Sequence, residues 1–343
     1  MEITGPTALD AAVWLPEERE QVSDVVASGH MSEAEAEETG LTRVPVSALP
    51  GPDLAVRAAE RVLSATGCDP ARLGLLAHAW IYHQGYDFWS PAHYIADRLG
   101  ARQALPLGVQ QMSNGGAAGL AIAVDRLTAD PRATAALVTT GDRFVAPGFD
   151  RWKADYGAVY GDGGTATLLR RVEADRPEPG LLLRSLSFAT ACEYEAMYRG
   201  RDAVTPAPAW REGPIDVRRP KKAYLEMNGG MGPFMKTAGD CVRTILLQSL
   251  AEAGVEPRDP RVRCVVLPRL SEGILRVTHL LLDELMDCEA VQLREDSGHL
   301  GAGDVPAGLA HLGSRYPLRR GDFAVVLGGG GGFTWSCAVV QAG

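Results

Sequence analysis

One short segment, residues 111–116 (Gln-Met-Ser-Asn-Gly-Gly), contains a side chain that could act as a nucleophile. It follows an apolar run at 104–109 and precedes an Ala/Gly-rich stretch that predicts a helix. Ser113 would then lie at the helix N-terminus, where backbone N–H groups have no intrahelical partner and the helix field is positive. Such a position suits a hydroxyl that is to be acylated. From this segment alone, an N-terminal cap is the better explanation of Ser113.

The elements around Ser113 recur in the second half of the chain. A helical pattern at 53–67 ends at Gly67, and one at 240–254 ends at Gly254; both glycines fit helix C-caps. A proline and an apolar strand follow each glycine. The pattern then predicts, in each half, a helix, a short strand and a polar turn that opens a further helix: 91–99 and 104–109 in the first half, and 272–287 and 290–294 in the second.

This duplication predicts an α/β protein built from two similar halves. The polar turn contains Ser113 in the first half and Gly298-His299 in the second. Because duplicated folds bring equivalent elements together about a pseudo-twofold axis, we expect the two turns to face each other. The helix after Ser113 is apolar on every side, so it should be buried. Residues 171–222, with prolines at 206, 208, 214 and 220, are predicted to be loops and insertions over the second half.

Composition and charge narrow the class of protein. The chain has 343 residues, 46% hydrophobic and 22% charged, with a net charge of -9, which argues against nucleic acid or an anionic membrane as a main partner. The six cysteines form no CxxC pair, so neither a metal site nor a disulfide framework is predicted. No apolar run reaches the roughly 18 residues of a membrane span, and the first residues lack a signal-peptide pattern. We therefore expect a cytoplasmic protein with reduced thiols.

Four motifs follow one another along the chain. They are Thr39-Gly40, Tyr160-Gly-Asp-Gly-Gly-Thr-Ala166, Met227-Asn-Gly229, and a terminal segment from Gly321-Asp322 through five glycines at 328–332 to Phe333-Thr-Trp335. In order and type they resemble the motifs of the thiolase-fold condensing enzymes, specifically the β-ketoacyl-carrier-protein synthase III family. The resemblance covers nearly the whole chain and implies a five-layer α/β fold of two pseudo-twofold related βαβαβ halves. It implies a first half at 1–170 that carries the nucleophile and a second half at 171–343.

The sequence departs from this family at the catalytic positions. The family has a cysteine where Ser113 stands. Its His-Gln-Ala-Asn segment falls on residues 268–271, where Pro268 replaces the histidine and offers no N–H donor. Its second catalytic segment falls on residues 298–306, where His299 replaces an asparagine and Asp304 replaces a serine. Because the family uses that histidine and asparagine to bind the malonyl thioester carbonyl, the resemblance implies that decarboxylative condensation is lost.

The remaining serine, histidine and aspartate are similar to those of a branch of synthase III-like acyltransferases in polyketide pathways. This resemblance implies Ser113 as nucleophile, His299 as general base and Asp304 as the carboxylate that orients it. A serine needs such a base at neutral pH, and the carboxylate holds the imidazole tautomer. The backbone N–H groups of Ser113 and, by resemblance, Gly331 would form the oxyanion hole.

The resemblance also bears on the acyl donor. Family members that use coenzyme A hold its adenine between a tryptophan and an arginine near the Thr-Gly motif. The approximate equivalents here are Ala34 and Glu38, in the acidic run 32–38. This run disfavours a nucleotide, so we expect a donor carried on the phosphopantetheine of an acyl carrier protein or polyketide synthase carrier domain, and no bound cofactor. The basic cluster 218–222 is either a docking surface for that carrier or a solvated loop.

The sequence therefore predicts an acyltransferase that acts through an acyl-Ser113 intermediate. It would move an acyl or small aromatic acyl group to a second carrier protein or to a natural-product hydroxyl or amine, as a homodimer, with neither nucleic acid nor a membrane as partner. Three alternatives remain open. They are a decarboxylative synthase that uses serine, a thioesterase with the same triad, and a catalytically inactive scaffold.

Overall fold

Helices and strands alternate along most of the chain. The computed structural model describes residues 2–172, 180–206 and 213–343. The strands are β1 Glu2–Trp14, β2 Arg19–Gln21, β3 Arg43–Pro45, β4 Leu73–Ala79, β5 Leu105–Val109, β6 Ala135–Asp142, β7 Gly163–Arg171, β8 Leu181–Thr190, β9 Val262–Val266, β10 Glu289–Val291, β11 Phe323–Gly330 and β12 Thr334–Ala342. The α-helices are α1 Val22–Ala27, α2 Glu33–Thr39, α3 Gly51–Thr66, α4 Pro91–Leu99, α5 Gly115–Ala129, α6 Ala196–Arg199, α7 Arg218–Met227, α8 Met231–Glu252, α9 Glu272–Leu285, α10 Arg294–Ser297 and α11 Asp304–Ser314.

Ten of the described strands form one mixed sheet with a pseudo-twofold order. The order is β10-β9-β11-β12-β8-β1-β7-β6-β4-β5. Outward from β1, the first half has the antiparallel pairs β1–β7 and β7–β6, followed by the parallel pairs β6–β4 and β4–β5. Outward from β8, the second half adds β12, β11, β9 and β10 with the same sequence of orientations. The predicted duplication is therefore confirmed strand by strand.

The helices form three layers: one outside each half of the sheet, and one between the two halves. Helices α3 and α4 share a core cluster with first-half strands, and α8 and α9 share one with second-half strands. Helices α5 and α11 contribute to a cluster that contains strand residues from both halves, so they form the middle layer. The structure thus confirms the five-layer fold and the burial of the helix after Ser113. Close packing requires Gly116, because a Cβ there would lie 2.5 Å from the Ala302 carbonyl oxygen.

Glycines end the predicted helices where left-handed backbone is needed. Gly67 follows α3 with φ 64°, and Gly254 follows α8 by two residues with φ 70°. Only glycine adopts these angles without a steric penalty, so both helix ends follow from the local sequence.

The prediction of loops throughout 171–222 is wrong. Strand β8 lies there and pairs with β1 and β12 at the centre of the sheet, and α6 and α7 follow it. Ser185 and Ser187 weaken the apolar pattern of β8, but both are buried and donate hydrogen bonds to the Ser249 carbonyl oxygen and the Glu252 carboxylate on α8. Pro208, which contributed to the prediction, lies outside the described residues.

Within residues 2–172, 180–206 and 213–343, no helix combines the length and the apolar character that a bilayer crossing requires.

Candidate active site

Ser113 lies in the turn between β5 and α5. Met112 before it has left-handed backbone with φ 48°, an unusual conformation for a residue with a side chain. Asn114, not Ser113, is the N-cap residue of α5. The Ser113 hydroxyl instead lies 2.7 Å from His299 Nε2, a residue 186 positions away. The cap explanation is therefore wrong, and the hydroxyl of the first half meets the imidazole of the second.

The backbone of His299 is anchored to the first half of the chain. Its N–H donates to the Val159 carbonyl oxygen at 2.8 Å, and its carbonyl accepts from the Gly161 N–H at 3.0 Å. The Tyr160 ring packs edge-on against the imidazole, with centroids 5.1 Å apart. This short bridge between the Tyr160 motif and the second polar turn holds the imidazole beside Ser113.

Asp304 completes a line of three hydrogen-bonded side chains. Its Oδ2 lies 2.8 Å from His299 Nδ1, and its Oδ1 accepts from the Leu300 N–H at 3.0 Å. His299 and Asp304 are 2% and 4% exposed. Burial by itself raises the pKa of Asp304, but the charge and hydrogen bond of His299, with help from Arg269, hold that pKa below its ordinary value. An ionised carboxylate at Nδ1 leaves Nε2 free to accept the serine proton.

The glycine-rich end of β11 and the start of β12 pack against the turn that carries Ser113. Ser336 Oγ donates to Asn114 Oδ1 at 2.6 Å, and a Cβ on Gly330 would lie 2.6 Å from the Asn114 nitrogen. The next residue, Gly331, lines the same pocket as Ser113 and His299. The structure thus brings Ser113, His299 and Asp304 together, and Gly331 lines the pocket that Ser113 and His299 share. The oxyanion role of the two N–H groups stays a prediction.

Ser113 and His299 open onto a pocket of about 400 Å³. Pro268 is part of its wall. Nine of the lining residues are aromatic or methionine: Tyr156, Tyr160, Met197, Tyr198, Met231, Phe234, Met235, Phe333 and Trp335. An apolar pocket of this size, with a few polar groups, is typical of a small-molecule site. In the described part of the chain, no three His, Cys, Asp or Glu side chains are grouped so as to hold a metal ion. That the site needs no cofactor stays a prediction.

A chain of polar side chains forms one wall of this pocket. Lys221 Nζ pairs with Asp155 Oδ1 and lies 4.6 Å from the centre of the Tyr198 ring. Tyr160, which packs on His299, donates its hydroxyl to Asp155 Oδ2 at 3.2 Å. Tyr198 also packs closely against the glycine-rich loop, because a Cβ built on Gly331 would collide with its ring. The wall therefore connects the base to the glycine-rich loop, and it adds a buried ion pair to an otherwise apolar pocket.

The structure excludes one of the two explanations for the basic cluster 218–222, namely a solvated loop. The cluster begins helix α7. Arg218 lies over the Tyr156 ring, Arg219 pairs with Asp202, and Lys221 is turned into the pocket. Arg219 and Lys222 keep exposed side chains, so a docking role for these two stays a prediction.

The sequence reasoning missed three residues that touch this site. Lys221 stands in the charged run 218–222, which predicts a surface cluster, and nothing in its neighbours signals burial. Asp142, at the end of β6, accepts hydrogen bonds from the backbone of Ile81, Tyr82 and Ala302 and so ties the two halves together. Arg269 follows Pro268 directly in the substituted catalytic segment, and that position was the available signal.

Comparisons with known proteins agree with this geometry. Residues 250–342 match the family model described as "3-Oxoacyl-[acyl-carrier-protein (ACP)] synthase III C terminal". The chain is 28% identical over 295 residues to a β-ketoacyl-[acyl-carrier-protein] synthase III of Desulfitobacterium hafniense strain Y51, covering 85% of this chain and 83% of that protein.

Two solved structures extend the likeness to the whole chain. One is described as the acyltransferase ChlB3; it is 30% identical, covers 98% of both chains and has a TM-score of 0.86. The other, 3-oxoacyl-(acyl carrier protein) synthase III (FabH) of Pseudomonas aeruginosa PAO1, is 22% identical over 98% of both chains with a TM-score of 0.77, which speaks for the fold alone. With the duplicated fold and the motifs in place, the chain belongs to the β-ketoacyl-acyl-carrier-protein synthase III-like family of the thiolase superfamily.

Proposed function

We propose that this protein is a serine acyltransferase that moves an acyl or small aromatic acyl group without decarboxylation. The observation that carries the proposal is the unbroken line from Ser113 Oγ to His299 Nε2 at 2.7 Å and from His299 Nδ1 to Asp304 Oδ2 at 2.8 Å. Serine, imidazole and carboxylate in this order are the arrangement of enzymes that form acyl-serine intermediates.

The first half-reaction acylates the serine. His299 Nε2 takes the proton of Ser113 as Oγ attacks the carbonyl carbon of a thioester, and a tetrahedral oxyanion forms. As the C–S bond breaks, the imidazolium returns this proton to the leaving sulfur, which departs as a thiol. Asp304 stabilises the transient imidazolium, and the backbone N–H groups of Ser113 and Gly331 bind the oxyanion in this proposal.

The second half-reaction transfers the acyl group. A hydroxyl, amine or thiol of the acceptor enters the pocket, and neutral His299 takes its proton as it attacks the acyl-serine carbonyl. Collapse of the second tetrahedral intermediate breaks the bond to Ser113 Oγ, which recovers the proton from the imidazolium. The products are the acylated acceptor and free Ser113. This ping-pong sequence uses the same three side chains twice.

Two observations support transfer over decarboxylative condensation. Pro268, which stands at the position of the family histidine, lines the pocket and has no N–H with which to hold a malonyl carbonyl. His299 is hydrogen-bonded to both Ser113 and Asp304, as a general base should be, so its Nδ1 is not available to a thioester carbonyl. The similar protein ChlB3, described as an acyltransferase, supports the same activity.

The partners in this proposal are a carrier protein that delivers the acyl group on phosphopantetheine and a second carrier or small natural product that receives it. Relatives named β-ketoacyl-[acyl-carrier-protein] synthase III support the carrier as donor. We further propose a homodimer that acts in the cytoplasm.

The test is intact-mass spectrometry of the protein after incubation with acetyl- and benzoyl-thioesters of N-acetylcysteamine and with the same acyl groups on a carrier protein. We expect the protein to gain the mass of one acyl group, located on Ser113 by peptide mapping, and to lose it when an acceptor thiol or alcohol is added. The Ser113→Ala variant is the matched control and should gain nothing.

The same incubations separate the alternatives. Release of carbon dioxide from malonyl-carrier protein would favour a decarboxylative synthase. Free acid formed without an acceptor would indicate a thioesterase. Failure of every thioester to modify Ser113, in a folded protein, would favour an inactive scaffold and overturn the proposal.

A further inference from the structure

Arg269 is buried next to the triad and does not line the pocket onto which Ser113 and His299 open. Arg269 follows the end of β9 by three residues and is 6% exposed. Arginine is rarely buried unless its charge is compensated, because removing it from water is costly. Its position therefore requires an explanation in terms of its partners.

Arg269 contacts the triad at two points. Its backbone N–H donates to Asp304 Oδ2 at 2.8 Å, the same oxygen that faces His299 Nδ1. Its Nη1 donates to the Asp304 backbone carbonyl at 3.1 Å. The backbone N–H thus holds the Asp304 carboxylate, and the guanidinium holds the backbone at the start of α11.

A third contact reaches the turn that carries His299. Arg269 Nε donates to Ser297 Oγ at 2.9 Å, and Ser297 Oγ donates to the Gly298 carbonyl oxygen at 2.8 Å. Ser297 is 1% exposed and stands two residues before the base. A single side chain therefore joins the residue that orients the imidazole to the turn that positions it.

The charges around His299 give this side chain a second effect. Two acidic groups face the imidazole closely enough to interact with its charge, namely Asp304 from the start of α11 and Asp142 from the end of β6. Tyr160 packs on the ring, and Ser113 bonds to it. Arg269 provides positive charge at Asp304, and burial there keeps water from screening the interaction.

We propose that Arg269 is a positioning residue of the triad, which holds Asp304 ionised and directed at His299 Nδ1 and fixes the His299 turn through Ser297. The inference rests on the proposed function, because the base it positions is the base of that reaction. It assigns to Arg269 no contact with the acyl group or the acceptor.

The experiment compares Arg269→Gln, which removes the charge but keeps hydrogen-bonding groups, with Arg269→Lys, which restores the charge. The first readout is the rate of Ser113 acylation by acetyl-N-acetylcysteamine, followed by intact mass between pH 5 and pH 9. We expect Arg269→Gln to be about 10- to 100-fold slower at pH 7, the size of loss known for removal of a hydrogen-bond partner that orients a metal-ligating histidine or carboxylate. Arg269→Lys should restore most of the effect of the charge on the pH profile, but less of the acylation rate, because an ammonium cannot reproduce the hydrogen bonds of the guanidinium.

The pH profile distinguishes positioning from a merely structural role. Loss of a nearby positive charge favours proton uptake by the His299–Asp304 pair, so the acidic limb of the rate profile should move to higher pH in Arg269→Gln and return in Arg269→Lys. A uniform loss of rate, with the limb unmoved, would overturn the proposal.

A second readout needs no substrate and so remains valid if the proposed function fails. The Nδ1–H proton of a histidine bonded to a carboxylate gives a resolved low-field proton resonance, and its titration can be followed in each folded variant. A midpoint that shifts upward in Arg269→Gln and back in Arg269→Lys supports the proposal even if no thioester acylates Ser113. An unchanged midpoint rejects it.

Should Arg269→Gln fail to fold, Ser297→Ala carries the test. That change deletes the Oγ that accepts from Nε and leaves the charge in place. Acylation about 3- to 10-fold slower, with the acidic limb unmoved, is expected from the loss of one orienting hydrogen bond. Acylation at the wild-type rate would contradict the link between Arg269 and the His299 turn.

Discussion

At the scale of single residues, the site depends on three side chains that lie far apart in the chain and touch one another in the fold. His299 has a hydrogen-bond partner at each ring nitrogen, Ser113 at Nε2 and Asp304 at Nδ1. This arrangement fixes the tautomer in which Nε2 accepts a proton.

Replacement of Asp304 by asparagine should lower the acylation rate by up to about 10⁴-fold, because an amide that donates to Nδ1 selects the wrong imidazole tautomer. The double variant His299→Ala/Asp304→Asn should be no slower than His299→Ala alone, since the residues act as a unit. Single-turnover acylation measures both. Losses that multiply would show that the residues act independently.

The Lys221–Asp155 pair allows a second prediction at this scale. Lys221→Met leaves a buried carboxylate unpaired, which should cost about 3–5 kcal/mol of unfolding free energy. The double variant Lys221→Met/Asp155→Leu should be closer in stability to the wild type than Lys221→Met is. Urea unfolding measures both free energies. Equal losses of unfolding free energy in the two variants would mean that the unpaired Asp155 carboxylate is not the cause of the destabilisation.

At the scale of elements, the junction between the Tyr160 motif and the His299 turn is packed backbone against backbone. A Cβ on Gly161 would lie 1.9 Å from the Ser297 carbonyl oxygen and 2.9 Å from Pro45. No side chain fits this gap without a shift of the chain that holds His299. The glycine in the motif is thus explained by contact between the two halves.

We expect Gly161→Ala to destabilise the fold by about 3 kcal/mol, the upper range for overpacking, and to slow acylation as well. Gly273→Ala is a matched control, because nothing lies within 4 Å of a Cβ at that position in α9. Thermal unfolding and the acylation rate should be close to wild type in the control. Equal behaviour of the two variants would contradict the packing argument.

Strand β4 contains a titratable group whose effect on stability can be predicted. His78 is fully buried between Thr139 Oγ1 and Gln84 Oε1, and this burial lowers its pKa from 6.5 to about 4. Because the folded state resists protonation, the stability is complete above pH 6.5 and falls as the pH drops toward 4. At about 1.4 kcal/mol per pH unit, the loss amounts to about 3 kcal/mol.

His78→Gln removes this titration. Its unfolding free energy, measured in urea at several pH values, should change less between pH 6.5 and pH 4 than that of the wild type, by about 3 kcal/mol. The variant has a constant penalty for its altered hydrogen bonds, so the slope with pH is the decisive quantity. If the unfolding free energies of the two proteins changed with pH in parallel, protonation of His78 would not destabilise the folded state.

At the scale of the whole molecule, one edge of the sheet has the features of an interface. Strand β5 ends the sheet, and its Leu105 is exposed. Tyr86 and Phe88, in the segment between β4 and α4, are exposed as well. An edge strand with exposed apolar side chains pairs readily with another chain, which supports the proposed homodimer.

Sedimentation velocity should therefore find a species of twice 36.5 kDa. The double change Phe88→Ser/Leu105→Arg should weaken the association by at least about tenfold, because it removes apolar area and adds a charge at the edge. Leu280→Arg, an equally exposed site on α9, is the control and should stay dimeric. A monomer in the wild type would refute the dimer.

Much of the architecture could be predicted because it follows from local patterns. Helical and strand periodicity, with Gly67 and Gly254 as helix ends, marked matching elements in both halves. The exception was β8, whose serines hid its burial because their hydrogen bonds to α8 are long-range contacts. For the site, the motif resemblance pointed to the residues, whereas Lys221 and Arg269 carry charges that a single sequence assigns to the surface.

The amino-acid order alone was sufficient for the duplicated α/β plan, since periodicity is a property of neighbouring residues. The substitutions at positions 113, 268, 299 and 304 were recognised through the family resemblance. Contact between Ser113 and His299, the burial of Lys221 beside Asp155 and the support of Asp304 by Arg269 were decided by tertiary structure. Each of these depends on how two halves of one sheet and a shared middle layer bring together residues more than thirty positions apart. Such pairings have no local pattern, because their energy comes from burial and from partners that only the folded chain provides.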